Sequence, residues 1–151
     1  MLQDEARVKC EQFRNFTGDV TQRDSTGEAI QGDLNVRRQR LYEDNRGLFL
    51  VHTWRFSEKP DQVADIIISL QEHTYYANLS ILEDGVESVT YELGRRFFDE
   101  PQVRRTREDN FAIEVSAYGP MLCLAEVAFN DEHGPIYLSR YIDFPTDVSS
   151  P

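Results

Sequence analysis

The chain has 151 residues, 40% of them hydrophobic, which suits a single domain with one core. Its formal net charge of −11 excludes non-specific attraction to nucleic acid or to an anionic membrane face, since both need a positive field. The excess acid sits towards the rear: residues 1–46 carry nine acids and eight bases, and residues 47–151 carry 18 acids and eight bases.

Taken in chain order, residues 3–16 have Ala6, Cys10 and Phe13 at helical spacing and predict a short helix. Residues 17–46 keep no period and are interrupted by Gly18, Gly27 and Gly32, so they predict a loop with at most local structure. From Gly47 the texture changes. "LFLVHTWRF" alternates, "VADIIISL" is β-branched and apolar, and "VESVTYEL", "NFAIEVSA", "MLCLAEVAF" and "PIYLSRYIDF" follow, with "QVRRT" as a further short strand. Asp84-Gly85 and "NDEHGP" (130–135) are turn signals. Repeated short strands with close turns predict an all-β, antiparallel sandwich of about seven to eight strands. The expected division is an N-terminal extension, part helical and part irregular, over 1–46, the sandwich over 47–145 and a tail over 146–151.

Two distant cysteines, Cys10 and Cys123, are too sparse for a disulfide framework, and Cys123 lies in an apolar run that predicts a buried thiol. No run of 18 apolar residues spans a membrane, and "MLQDEARVKCEQ" has no apolar signal core, so a cytoplasmic protein is expected. His52, His73 and His133 make no metal-ligand spacing, neither cysteine has a ligand neighbour, and there is no nucleophile elbow, phosphate loop or dinucleotide motif. The expectation is therefore a non-enzymatic chain without cofactor or metal. Two features could bind. Arg95, Arg96, Arg104, Arg105 and Arg107 against Asp99 and Glu100 make a local net +3, and guanidinium suits carboxylate or phosphate. Of these, Arg104, Arg105 and Arg107 read as a solvated face. Phe97, Phe98 and Tyr118 fall where strands give way to turns, and loop aromatics brought side by side can stack on a flat group. Gly119 would let a ligand approach the backbone.

The order of these elements resembles the YEATS domain, most closely its prokaryotic branch. The resemblance rests on "V-x-x-V-x-Y-x-L" (86–93), a small loop containing Phe, "F-x-I-E-V" (111–115) leading to an aromatic-Gly turn, and a last strand ending "L-x-x-x-I-x-F" (138–144). It implies an immunoglobulin-like sandwich whose end loops hold an acyl group between aromatic side chains, as eukaryotic members do with acylated lysine on histone tails. By that resemblance Phe97 and Tyr118 are the two slot aromatics and Gly119 the glycine of the second loop. Gly94 stands where the family has histidine, Arg96 where it has the serine that bonds the acyl amide, and Met121 beyond Pro120 where it has phenylalanine. The implied site is thus Gly94, Arg95, Arg96, Phe97, Tyr118 and Gly119, with an arginine that favours a negatively charged guest. The expected partner is a protein or peptide, acylated or acidic, with no nucleic acid, no direct membrane insertion, and room for a homo-oligomer. The alternative is a structural or protein-interaction domain of a larger assembly with no small-ligand pocket.

Overall fold

The computed structural model describes residues 25–73, 80–95, 97 and 100–146. The helix expected over 3–16 and the tail beyond residue 146 lie outside them. The chain divides into two compact units, residues 1–41 and 42–151.

Helix α1 (Ser25–Asp44) occupies most of the stretch read as loop, which corrects that reading. Its sequence has few apolar residues, and Ile30, Leu34, Val36 and Leu41 all stay about half exposed. With no broad apolar face there is little periodic signal, although Arg, Gln, Leu and Ala are all good helix formers. The helix also contains Gly27 and Gly32, each costing about 1 kcal/mol relative to alanine.

Seven strands make the second unit. β1 (Leu48–Phe56), β2 (Ala64–Glu72) and β5 (Ile113–Ala117) form one antiparallel sheet in the order β1-β2-β5. β3 (Val86–Glu92), β4 (Gln102–Arg104), β6 (Met121–Phe129) and β7 (Ile136–Ile142) form the other, in the order β4-β3-β6-β7. This is the antiparallel sandwich the alternation predicts. Period two explains it directly: in β6, Met121, Cys123, Ala125, Val127 and Phe129 face inward while Leu122, Leu124 and Glu126 face out. The inward rows join Leu48, Ile66, Ile68, Leu70, Tyr91 and Phe111 in one core.

Residues 130–135 connect β6 to its antiparallel neighbour β7, as the turn signal predicts. Asp84-Gly85 behaves differently. Ser80 accepts from the Glu83 N–H and caps a single helical turn, α2 (Ile81–Asp84), so Gly85 closes a helix instead of turning a hairpin. Arg46 braces the β6–β7 hairpin. It lies 4.3 Å over the Phe129 ring and pairs with Asp131 at 3.0 Å. That hydrogen bond, with one from the His133 N–H, holds the Asp131 carboxyl below its ordinary range. The open edges of the two sheets are tied by side chains: Arg140 Nε donates to His52 Nδ1 at 2.7 Å, which leaves His52 Nε2 to donate to the Asp143 carbonyl.

Burial pushes the Cys123 thiol up to about 12, with the Glu92 charge adding to it. The thiolate is the reactive species, so Cys123 is expected to be inert to an aromatic disulfide reagent near neutral pH in the native protein. It reacts at once in denaturant. A fast native reaction at Cys123, located by mass spectrometry, would contradict this core.

Candidate functional site

The chain makes its candidate site where three connections reach one end of the sandwich. These are residues 57–63 between β1 and β2, 93–101 between β3 and β4, and 118–120 between β5 and β6. The register puts them together, because Ala64 lies opposite both Phe56 and Ala117, and Glu92 pairs with Leu124 near the start of β6.

The first ring is set by a tight turn. Leu93 is buried and anchors the end of β3. Gly94 then takes φ of +98°, a conformation that L side chains rarely adopt. Glu92 accepts from the Gly94 N–H at 2.7 Å, and the Phe97 N–H donates to the Gly94 carbonyl at 3.1 Å. Phe97 is thereby turned back, half-buried, against the core. The second ring follows β5. Ala117 is fully buried, and its carbonyl accepts from the Val63 N–H at 2.8 Å. The chain then bends through Tyr118 and Gly119 to Pro120, leaving Tyr118 53% exposed.

The outcome is a pair of rings from different sheets. The planes of Phe97 and Tyr118 are parallel within 10°, with centroids 6.4 Å apart. A Cβ added at Gly94 or Gly119 would meet nothing within 4 Å, so the backbone beside both rings is unobstructed. Arg95 is exposed next to this turn. Arg96 and Phe98 lie outside the described residues.

The rest of the arginine cluster does not converge here. β4 runs antiparallel to β3, with Gln102 opposite Tyr91 and Arg104 opposite Val89, so the chain travels away from Gly94. Arg107 ends 3.8 Å from Asp84, beside the start of β3, with both side chains largely exposed. That agrees with reading Arg104, Arg105 and Arg107 as a solvated face.

A polar row at the same end went unnoticed in the sequence. Arg55, Asp65 and Ser116 are neighbours across β1, β2 and β5. Ser116 Oγ donates to Asp65 Oδ1 at 2.7 Å and accepts from Lys59 Nζ at 2.8 Å, while Arg55 Nε lies 3.5 Å from Asp65 Oδ2. Hydrogen bonds from Ser116 and then Ser57, with Lys59 and Arg55 nearby, hold the Asp65 carboxyl below its ordinary range against the opposing effect of burial. The only sequence signal was a carboxylate, Asp65, set directly before the apolar run of residues 66–68. The row fixes the 57–63 connection to the end of β5, two residues before Tyr118. Among the described residues, no group of three or more histidines, cysteines or acids is placed to hold a metal. No described helix is long and apolar enough to cross a membrane.

Fold and loops define the class as a two-sheet β-sandwich that presents side chains from its end loops. Residues 79–143 match the family model of the prokaryotic YEATS domain. YEATS domains are reader modules, generally non-catalytic, and the family is known for binding acylated lysine peptides. A solved structure described as the Yaf9 YEATS domain recognizing an H3K122suc peptide is similar at 12% identity and a TM-score of 0.48. It covers 66% of this chain and 73% of that chain. No curated protein matches the chain.

Proposed function

We propose that the chain is a non-catalytic binding module that holds a flat, acyl-type group of a peptide or small ligand between Phe97 and Tyr118. The supporting observation is the ring geometry. Carbon atoms in good contact lie about 3.5–4.0 Å apart, so a flat guest touching a ring on each face needs about 7 Å between the rings. With centroids 6.4 Å apart and planes near parallel, the gap is at most that wide, so a guest enters by an outward swing of the exposed Tyr118 ring. One wall is half-buried and fixed by the Gly94 turn, and the other is exposed and free to adjust. Arg95 at the rim biases the site towards guests with a negative end.

The test is a titration followed by amide NMR, with one lysine peptide unmodified, acetylated, carrying a flat unsaturated acyl group, or succinylated. Acylated peptides are expected to shift the amides of Gly94, Phe97, Tyr118 and Gly119, and the unmodified peptide to leave them unchanged. If none of the four moves these resonances, the acyl-slot reading is wrong.

A further inference from the structure

We propose that helix α1 is a self-association element, pairing antiparallel with the same helix of a second copy of this chain. Helix periodicity of about 100° per residue puts Ile30, Leu34, Arg37 and Leu41 within an arc of about 60°. Their spacing of four, three and four residues is that of a coiled-coil seam. Three of the four are large apolar side chains, at 50%, 55% and 56% exposure, in a helix weakened by two glycines. Such a helix gains by covering this stripe.

The charges say what covers it. Asp33 and Arg40 flank one side of the stripe, and Gln31 and Arg38 the other. In an antiparallel pair, Ile30 meets Leu41 of the second copy, and Leu34 meets Arg37 of the second copy. Asp33 then faces Arg40 of the second copy, and this contact occurs twice by symmetry. Each Arg37 also lies beside an opposing Asp33, so its stem covers apolar surface while its charge is met. A parallel pair would set Arg37 against Arg37 at the seam, bringing like charges together. The stripe is therefore complementary to a reversed copy of itself.

The test is sedimentation equilibrium of the full chain over a wide concentration range, with circular dichroism to follow helix content. A concentration-dependent dimer is expected. Leu34→Asp should weaken it by more than about tenfold, because the seam then buries a carboxylate. Arg37→Leu should tighten it and, being a gain, cannot be mistaken for misfolding. Asp33→Arg and Arg40→Asp should each weaken the dimer, and the double reversal should restore it. A monomer throughout, or a dimer indifferent to Leu34→Asp and Arg37→Leu, would overturn the proposal. The latter would point to another surface, such as the exposed Leu122, Leu124, Tyr137 and Tyr141 face. Failure of the double reversal to restore association would overturn the antiparallel arrangement, since a parallel pair sets Asp33 beside Arg38.

Discussion

Tyr118→Ala is expected to weaken binding of an acylated peptide about ten- to a hundredfold while leaving the thermal midpoint close to that of the parent. The ring is half exposed, so its removal opens no core cavity. What it removes is one face of the slot, and stacking a flat group on an aromatic side chain contributes on the order of 1–3 kcal/mol. Each 1.4 kcal/mol is about tenfold in affinity. Tyr118→Phe keeps the face and should bind within a fewfold of the parent. Phe97→Ala is less informative, because Phe97 also packs against the core and its loss mixes stability with recognition. Calorimetric titration of the parent and both Tyr118 variants decides the point. Equal affinity for parent and Tyr118→Ala would remove Tyr118 from the site.

Phe111→Ala is expected to be the most damaging single change in the sandwich, at about 3–5 kcal/mol. Against a total stability of roughly 5–15 kcal/mol, that lowers the thermal midpoint by roughly 10–20 °C. The residue stands at an unusual point of the backbone. Asp109, Asn110 and Phe111 have successive φ values of 55°, 57° and 60°. A left-handed residue costs about 1–2 kcal/mol, less for Asp and Asn, whose short side chains tolerate it. Phe111 holds that conformation because its ring is almost fully buried and its carbonyl accepts from Tyr91 Oη at 2.8 Å. Burial pushes the Tyr91 phenol well above its ordinary range, so it stays a donor. Tyr91→Phe removes only that bond, strands the buried carbonyl and should cost about 1–3 kcal/mol. Denaturant unfolding of both variants separates packing from hydrogen bonding. A Phe111→Ala loss no greater than that of Tyr91→Phe would mean the ring contributes little.

The longer strands were legible where they bury one face, since burial of one face leaves a period of two in residues such as those of β6. Helix α1 was not, because its few apolar residues, Ile30, Leu34, Val36 and Leu41, form no broad face among polar ones, and Gly27 and Gly32 read as breaks. Asp84-Gly85 misled for a local reason: the same dipeptide closes a helix when a capping Ser80 stands upstream. The proximity of Phe97 and Tyr118 came from family resemblance alone, since a contact between loops of different sheets leaves no periodic trace. The Arg55, Asp65 and Ser116 row was invisible for a related reason. It exists only once the registers of three strands are known, and no member alone marks it in the sequence.

The two rings are carried by opposite layers. Phe97 follows β3 of the four-stranded sheet, and Tyr118 follows β5 of the three-stranded one. On the proposed reading the rings are the jaws of a caliper, and its opening follows the thickness of the core behind them. The filling at that end is Ala64, Leu93, Ala117 and Met121, two small side chains and two long flexible ones, all buried. In the slot proposed above, guest size would thus be governed partly by residues the guest does not touch, and a change of core volume would change the guest accepted while both rings stay the same.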